Sequence, residues 1–343
     1  MPENQLFTLP EPLRLEAGAT LPRVQVAYRT LGTLNPAADN VVWICHALTA
    51  NADPADWWPG LVGSGCYYDP AEWFIVCANV LGSCYGTTGP TTPVADDQPP
   101  LYHAFPLITV RDMVAVHEQL RRHLGLEQIH TLIGGSLGGQ QALEWAIQQP
   151  SVFSHLVLLA TNARHSPWGI AFNEAQRLAI FADSSYFTAS PDAGQAGLRA
   201  ARAVALLSYR SYEAYGNTQA EPDDALLTDF RASSYQQYQG SKLVARFSAH
   251  AYVALSRAMD SHHVGRGRGS VADALSCIQA RTLVLGISSD VLFPTTEQRL
   301  LAQHIRGAMY AELDSSFGHD GFLIEATQIS HFLEQFYVRN YAH

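Results

Sequence analysis

The chain has 343 residues, of which 47% are hydrophobic, and a formal net charge of −10 at pH 7. This length and hydrophobic content are enough for one large core, or for one core with an insertion. The acidic balance argues against nucleic acid or an anionic membrane as the main partner, although a local arginine can still bind an anionic substrate.

The sequence favours a cytoplasmic protein. The first five residues contain no basic region followed by an apolar stretch, so no signal peptide is predicted. No run of about 18 apolar residues occurs, so no membrane span is predicted either. The five cysteines, at positions 45, 66, 77, 84 and 277, include no C-x-x-C pair. We therefore expect them to be reduced and buried, without a disulfide framework or a zinc site.

Strands are predicted early in the chain. Residues 24–31 alternate between apolar and polar side chains, and residues 40–45 form the continuous apolar run that is typical of a strand covered on both faces. We expect His46 to pack at the end of that second strand rather than to catalyse. The pair Trp57 and Trp58 is expected to form an aromatic plug under a long loop. Another buried strand is predicted over residues 72–77.

The loop and helix that follow give weaker functional signals. Residues 79–90 form a loop of small side chains that could lie near a ligand, but it lacks the G-K-[ST] sequence of a phosphate-binding P-loop. Thr109-x-x-Asp112 then resembles the start of a helix. The apolar residues that follow keep helical spacing on one face.

The sequence around Ser136 is typical of a catalytic turn. Residues 129–133 are apolar and β-branched and predict a buried strand, and the stretch before Pro150 predicts a helix. Between them, G-x-S-x-G at residues 134–138 matches the nucleophile elbow of α/β hydrolases, in which the serine takes a strained backbone conformation. The start of the helix would direct free N–H groups at the site. An ordinary glycine-rich turn is the alternative interpretation.

The pattern changes after a further strand over residues 155–160. Residues 170–181, 196–209 and 243–259 each predict a helix, with little strand-like alternation between them. We interpret residues 164–277 as a helical cap. Within it, Gly265-Arg266-Gly267-Arg268-Gly269 is expected to be a solvated flexible loop, with a role in holding a cofactor phosphate as the alternative.

The sheet resumes near the end of the chain and supplies two further candidates. A strand over residues 281–287 is followed by Asp290, and Pro294 opens a helix. A strand over residues 309–313 is followed by His319, and a last helix covers residues 322–337. Ser136, Asp290 and His319 thus occur in the order that α/β hydrolases use. The imidazole would take the serine proton, and the carboxylate would orient the imidazole.

We therefore predict an α/β protein with the α/β-hydrolase fold: a mostly parallel sheet, helices on both of its faces and an inserted helical cap. The core domain is predicted over residues 1–163 and 278–343, and the cap over residues 164–277. Asp290 and His319 would then lie beside the elbow, at the carboxyl edge of the sheet.

Several stretches together resemble one known family, the homoserine O-acetyltransferases of methionine biosynthesis, a branch of the α/β-hydrolase superfamily. The matching segments are spread over nearly the whole chain. They are residues 28–35 (YRTLGTLN), 46–49 (HALT), 79–84 (NVLGSC), 86–90 (GTTGP), 105–114 (FPLITVRDMV), 134–145 (GGSLGGQQALEW), 289–294 (SDVLFP) and 318–323 (GHDGFL).

The resemblance implies a ping-pong acyl transfer. Ser136 would take acetyl from acetyl-CoA, a co-substrate rather than a bound cofactor, and pass it to the side-chain hydroxyl of L-homoserine. It also implies a homodimer formed through the cap and no metal site. The residues that the family implies are the backbone N–H groups of Leu48 and Leu137 as the oxyanion hole, with Arg202, Tyr209 and Asp320 as acceptor-binding residues. A guanidinium fits the α-carboxylate of an amino acid, and a carboxylate fits its ammonium group.

Alternative functions remain at this stage. A transferase of the same family could use succinyl-CoA as the donor or serine as the acceptor. A carboxylesterase would use the same three residues with water as the acceptor. A catalytically inactive α/β hydrolase that only binds a ligand is a third class.

Overall fold

The protein is represented by a computed structural model that describes residues 4–95 and 98–338. Residues 1–3, on which the prediction of no signal peptide partly rests, lie outside the described residues. None of the helices in the described ranges combines the length and the hydropathy that a membrane span requires.

Within the described residues, eight strands form one central sheet in the order β1-β4-β6-β5-β9-β10-β11-β12. These strands are β1 (Gln5–Thr8), β4 (Gln25–Leu31), β5 (Val41–Cys45), β6 (Phe74–Ala78), β9 (Ile129–Gly135), β10 (Phe153–Leu159), β11 (Arg281–Ile287) and β12 (Met309–Leu313). β4 pairs antiparallel with both β1 and β6, and the pairs from β6 to β12 are parallel. Two small sheets pair β2 (Leu13–Arg14) with β3 (Thr20–Leu21) and β7 (Pro93–Ala95) with β8 (Gln98–Pro100). The predicted mostly parallel sheet is confirmed.

Helices connect the strands and cover the sheet. They are α1 (Pro54–Trp57), α2 (Val110–His123), α3 (Leu137–Gln148), α4 (Pro167–Phe181), α5 (Gln195–Tyr209), α6 (Tyr212–Gln219), α7 (Arg231–Val244), α8 (Ala249–Asp260), α9 (Val271–Ser276), α10 (Thr295–His304), α11 (Gly321–Ile324) and α12 (Ala326–Val338). Short 3₁₀ turns lie at Tyr102–Ala104, Ser184–Phe187 and Gly318–Asp320.

The central strands are buried on both faces, which explains their continuous apolar sequences. Trp43 of β5 points to one side, where its ring meets the ring of Trp145 on α3 edge to face at 5.0 Å between centroids. Ile44, the next residue, points to the other side and belongs to the cluster that includes Phe336 of α12. Helices therefore cover both faces of the sheet.

Helix α2 begins where the sequence predicts. The side chain of Thr109 accepts a hydrogen bond from the backbone N–H of Asp112, and the Asp112 carboxylate accepts one from the N–H of Thr109 at 2.8 Å. This reciprocal arrangement satisfies donors that the first turn of a helix otherwise leaves free. The predicted helix start is confirmed, and it takes the form of a capping box.

Two predicted helices are each divided in the structure. The helix predicted over residues 243–259 is wrong, because α7 ends at Val244 and α8 begins only at Ala249, after Ser248 in an extended conformation. The last predicted helix is interrupted at Glu325, whose ψ of 43° is not helical. There, the indole N–H of Trp58 donates to the carbonyl oxygen of Phe322 at 2.8 Å, so this oxygen has a partner outside the helix.

The prediction that all cysteines are buried is wrong for Cys277, which follows the short helix α9 and is exposed. Cys45 and Cys77 lie in central strands and are buried, and Cys66 and Cys84 are partly buried. All five are free thiols, so the expected absence of disulfides agrees with the structure.

The loop at residues 265–269 is exposed at Arg266, Gly267 and Gly269, as predicted, but two ion pairs attach it to the rest of the molecule. The Arg268 guanidinium lies 2.5 Å from the buried carboxylate of Glu144 on α3, and Arg266 lies 3.0 Å from Glu16. Both arginines therefore have structural partners. These contacts also connect the end of the predicted cap to the predicted core, and the domain boundaries at residues 164 and 277 stay a prediction.

Candidate active site

Ser136 lies on a sharp turn between β9 and α3. Its φ of 56° and ψ of −124° are strained for a residue with a side chain. The flanking glycines are required by close backbone contacts: a Cβ at Gly134 would lie 2.3 Å from the carbonyl oxygen of Gly138, and one at Gly138 would lie 2.0 Å from that of Cys45. The hydroxyl of Thr161 donates to the carbonyl oxygen of Ser136 at 2.9 Å and helps to hold the turn.

The structure brings the three predicted triad residues together. The Nε2 of His319 lies 2.9 Å from the Oγ of Ser136, and its Nδ1 lies 2.6 Å from the Oδ2 of Asp290. The other oxygen of Asp290 accepts hydrogen bonds from the backbone N–H groups of Leu292 and Phe293 at 2.8 and 2.9 Å. The carboxylate is thus fixed by the backbone, and it fixes the imidazole.

The imidazole of His319 also packs against an aromatic ring. Its plane lies nearly parallel to that of Phe293, with the centroids 4.9 Å apart. Burial by itself lowers the pKa of His319, but the charge and hydrogen bond of Asp290, with a further contribution from Asp320, raise it above the ordinary value of 6.5 overall. The site therefore stabilises the protonated imidazole, which is the state that forms when a base accepts a proton.

Of the two candidate oxyanion donors, Leu137 follows Ser136 directly in the chain and Leu48 lines the same cavity. Leu137 is the first residue of α3, so its N–H is one of those that a helix cannot satisfy internally. Leu48 lies in the loop after β5 and lines the same cavity as Ser136. The amide of Gln141 donates to the carbonyl oxygens of both His46 and Leu137, at 3.2 and 3.1 Å, so it joins the two backbone segments.

His46 packs at the end of β5, as predicted. It is fully buried, its Nε2 accepts a hydrogen bond from the N–H of Val80 at 3.0 Å, and its Nδ1 donates to the carbonyl oxygen of Ala47. Burial lowers the pKa of His46 to about 4. It is therefore a neutral residue that supports the loop carrying Leu48.

A cavity of about 530 Å³ opens above Ser136 and His319. Trp57 lines it, whereas Trp58 is fully buried beneath and packs against Phe322, so the predicted aromatic plug describes Trp58 alone. The small-residue loop at 79–90 does not line the cavity, but it contacts Arg246 at the rim through the hydroxyl of Tyr85 and the thiol of Cys84.

Arg202 and Tyr209 both face this cavity from α5. The Arg202 guanidinium lies 5.5 Å from the centroid of the Tyr209 ring, and that ring lies 5.9 Å from the imidazole of His319. The Nε of Arg202 is buried and has no hydrogen-bond partner. A buried donor without a partner is costly, so this atom is well suited to an acceptor on a ligand.

Asp320 also lines the cavity, but it already has a cationic neighbour. The Nε of Arg210 lies 2.9 Å from the Asp320 carboxylate. Burial raises the pKa of Asp320, and the charges of Arg210 and Arg202 oppose that change. Arg210 could not be predicted from the sequence, because no motif distinguishes it and it meets Asp320 only through the packing of α5 against the turn at residues 318–320.

The rim of the cavity carries further residues that the sequence analysis missed. Gln239, Lys242 and Arg246 lie on it, at the end of α7 and just beyond. Arg246 donates to the carbonyl oxygen of Thr49 at 2.5 Å and to the hydroxyl of Tyr85 at 2.6 Å. The sequence signal that could have grouped Gln239, Lys242 and Arg246 is their helical spacing of three and four residues.

Metal chemistry has no evident site in the described part of the chain. Among residues 4–95 and 98–338, no three or more His, Cys, Asp or Glu side chains are grouped so that they could hold a metal ion. The arrangement provides a serine nucleophile, a histidine base, a carboxylate that orients this base, and a cavity for an acyl group.

Comparisons with known proteins identify the fold and the proteins that this chain resembles. A family model described as the alpha/beta hydrolase fold matches residues 40–326, and the predicted fold class is thereby confirmed. The homoserine O-acetyltransferase of Cyclobacterium marinum is 46% identical over 337 residues, which cover 98% of this chain and 96% of that protein.

Solved structures with the same fold include both an acetyltransferase and an esterase. The homoserine O-acetyltransferase from Bacillus anthracis superposes with a TM-score of 0.89 at 21% identity, covering 98% of each chain. The esterase E22 superposes with a TM-score of 0.87 at 22% identity, covering 98% of this chain and 100% of that one. At such identities the superpositions establish the fold alone.

Proposed function

Because this chain belongs to the homoserine O-acetyltransferase family, a family of acyltransferases with the α/β-hydrolase fold, we propose that it transfers an acetyl group to the side-chain hydroxyl of L-homoserine. This reaction belongs to methionine biosynthesis. The resemblance noted in the sequence is thus confirmed at the level of the family, and the donor and the mechanism are part of the proposal.

The observation that carries the proposal is the hydrogen-bonded series Ser136, His319, Asp290 at the floor of an open cavity. We propose acetyl-CoA as the donor. The Oγ of Ser136 attacks the thioester carbon while His319 takes the serine proton, and the tetrahedral oxyanion is held by the N–H groups of Leu48 and Leu137. The carbon–sulfur bond then breaks, and the protonated His319 returns the proton to the thiolate of CoA.

The second half of the reaction repeats these steps with homoserine. Its hydroxyl gives a proton to His319 and attacks the acetyl-serine, and collapse of the second tetrahedral intermediate releases O-acetylhomoserine and restores Ser136. The unpartnered Nε of Arg202 supports an ion pair with the α-carboxylate, and Asp320 is positioned for the α-ammonium. The ammonium would then share Asp320 with Arg210.

A serine carboxylesterase is the second candidate function, since the same three residues can deliver an acyl group to water. The feature that favours transfer is Arg202, because its buried Nε lacks a hydrogen-bond partner and a reaction with water has no use for a cation there. Succinyl in place of acetyl, or serine in place of homoserine, would leave this arrangement unchanged.

A matrix of donors and acceptors tests the proposal. Purified enzyme is mixed with acetyl-CoA or succinyl-CoA and with homoserine, serine or no amino acid, and the mass of each product is measured. We expect O-acetylhomoserine as the dominant product. Release of free acetate at the same rate with and without homoserine would instead identify an esterase.

Dimerisation through the cap and a cytoplasmic location are part of the same proposal. Support for a dimer comes from large apolar side chains that are exposed on the helical segment, among them Leu207, Tyr212 and Leu227. Sedimentation of the purified protein at several concentrations measures its mass in solution, and a monomer throughout would refute the dimer.

A further inference from the structure

The cavity above Ser136 is positively charged, although the chain as a whole is acidic. Its lining includes four cationic side chains and two carboxylates, whereas the formal net charge of the chain is −10. The cations are Arg202, Arg210, Lys242 and Arg246, and the carboxylates are Asp56 and Asp320. A local positive surplus of this kind attracts anionic ligands.

The proposed acceptor does not account for this surplus, because homoserine is a zwitterion with no net charge at neutral pH. Its two charges would use Arg202 and Asp320, and Asp320 also neutralises Arg210. Lys242 and Arg246 are left over, and no carboxylate of the described residues lies within ion-pair distance of either. Arg246 is engaged by the neutral oxygens of Thr49 and Tyr85. Lys242 therefore has its charge available.

Lys242 is the only lysine in the chain, which has 21 lysine and arginine residues in total. It is exposed, it lies in the last turn of α7, and it shares one face of that region with Gln239 and Arg246, three residues before it and four after it. All three residues line the cavity, and Lys242 and Arg246 are also exposed to solvent, which places them at its rim. A flexible ammonium group at the entrance suits a phosphate that stays partly in solvent.

The size of the cavity determines which part of the donor reaches this rim. A volume of about 530 Å³ lies in the range that holds a drug-sized ligand. Because the thioester must reach Ser136 at the floor of the cavity, the phosphates of CoA, which lie at the other end of a long flexible arm, are directed towards the solvent-exposed rim. We propose that Lys242 binds a phosphate group of the acyl donor at the rim of the cavity. This proposal rests on the proposed function, because it assumes a phosphate-bearing thioester as the donor.

A structural role for Lys242 makes a different prediction. A lysine in the last turn of a helix interacts favourably with the helix dipole, so its loss would lower stability slightly and affect all substrates equally. A phosphate-binding role affects only substrates that carry phosphate. The comparison of two thioesters therefore separates the two roles.

The test uses the intact enzyme and its Lys242→Gln variant with two acetyl donors, acetyl-CoA and S-acetyl-N-acetylcysteamine, which has the thioester but no phosphate. We expect kcat/KM for acetyl-CoA to fall roughly tenfold, as loss of one charge-assisted hydrogen bond would predict. The value for the short thioester should change by less than about twofold. Lys242→Arg should retain most of the activity with acetyl-CoA.

Arg306→Gln is the matched control, because it removes the same charge from an exposed position on the core that does not line the cavity. This variant should have the same kcat/KM as the wild type with both donors. The proposal is overturned if Lys242→Gln lowers kcat/KM equally for both thioesters or for neither of them. It is also overturned if Arg306→Gln has the same effect as Lys242→Gln.

Product inhibition distinguishes a failure of this proposal from a failure of the proposed function. CoA and pantetheine, which lacks the phosphates, are compared as inhibitors of the reaction with the short thioester. We expect CoA to inhibit the wild type more strongly than pantetheine, and Lys242→Gln to remove that difference. If the difference persists in the variant, Lys242 is not the phosphate ligand, whichever donor the enzyme uses in the cell.

Discussion

Arg246 donates a hydrogen bond of 2.5 Å to the carbonyl oxygen of Thr49, and this contact joins the helical segment to the loop after β5. Thr49 follows Leu48, whose N–H is one of the two proposed oxyanion donors. The side chain of Arg246 also contacts the hydroxyl of Tyr85, so the guanidinium is held between two partners. The helical segment thereby helps to hold the loop that carries Leu48, one of the two proposed oxyanion donors.

Arg246→Met should therefore slow the acylation of Ser136 without selecting between donors. We expect kcat to fall roughly tenfold to 10²-fold, at or below the cost of losing one oxyanion donor. The rates of acylation by acetyl-CoA and by S-acetyl-N-acetylcysteamine should fall by the same factor, whereas Lys242→Gln should lower only the rate with acetyl-CoA. Tyr85→Phe keeps the contact to Thr49 and should have a smaller effect. A loss confined to acetyl-CoA would mean that Arg246 binds the donor instead.

Arg202→Ala should weaken the use of homoserine by roughly 10²-fold or more, because the loss of a buried charged pair costs about 3–5 kcal/mol. Release of CoA in the first turnover should survive, since acylation needs only the triad and the oxyanion hole. Stopped-flow detection of the thiol separates the two steps. Arg199→Ala, an exposed position on the same helix, is the control. If Arg202→Ala abolishes the first release of CoA as well, the arginine serves the donor or the fold.

The pH dependence of acylation follows from the environment of His319. The imidazole must be neutral to accept the serine proton, so the rate should fall as the pH drops through its pKa. That pKa lies above 6.5 because burial, which lowers it, is outweighed by the charge and hydrogen bond of Asp290 together with the charge of Asp320. Asp290→Asn removes this stabilisation, so the acid limb of the first-turnover rate should move to lower pH.

The same variant should also lose roughly 10⁴-fold in rate, because the amide leaves the imidazole in the wrong tautomer. Rates measured in single-turnover experiments from pH 5 to 9 give both quantities. An acid limb that stays in place or moves to higher pH would mean that Asp290 does not set the pKa of His319.

Gly138→Ala should destabilise the fold, because the added methyl group would meet the carbonyl oxygen of Cys45 at 2.0 Å. We expect a loss of about 3 kcal/mol or more, measured by urea denaturation, since backbone atoms on both sides must move. Gly216→Ala is the matched control, because that glycine lies in α6 with no atom within 4 Å of the added Cβ. It should be neutral or stabilising by up to about 1 kcal/mol. Equal stability of the two variants would contradict the packing described here.

Much of the core and the triad could be predicted from the sequence because local patterns specify them. The alternation of apolar strands and amphipathic helices determines a doubly covered parallel sheet. Ser136, Asp290 and His319 each follow a recognisable strand, and parallel strands bring their carboxyl ends to one edge. Their convergence is therefore a consequence of the topology.

The features that the sequence analysis missed depend on contacts between distant segments. Arg210 meets Asp320 across more than 100 residues of chain, and Arg268 meets Glu144 across a similar separation. Neither pair has a local signature. A glycine-arginine repeat is typical of a solvated loop when read alone, and only the folded structure provides the carboxylates that fix it.

The most direct test of the central proposal is the intact mass of the enzyme quenched within milliseconds of mixing with acetyl-CoA alone. We predict a species heavier by one acetyl group, located on Ser136, together with a burst of free CoA. Homoserine added before the quench should remove the acetyl group as O-acetylhomoserine, and Ser136→Ala should show neither adduct nor burst. An unmodified wild-type enzyme that releases CoA only when homoserine is present would contradict the covalent mechanism and indicate direct transfer.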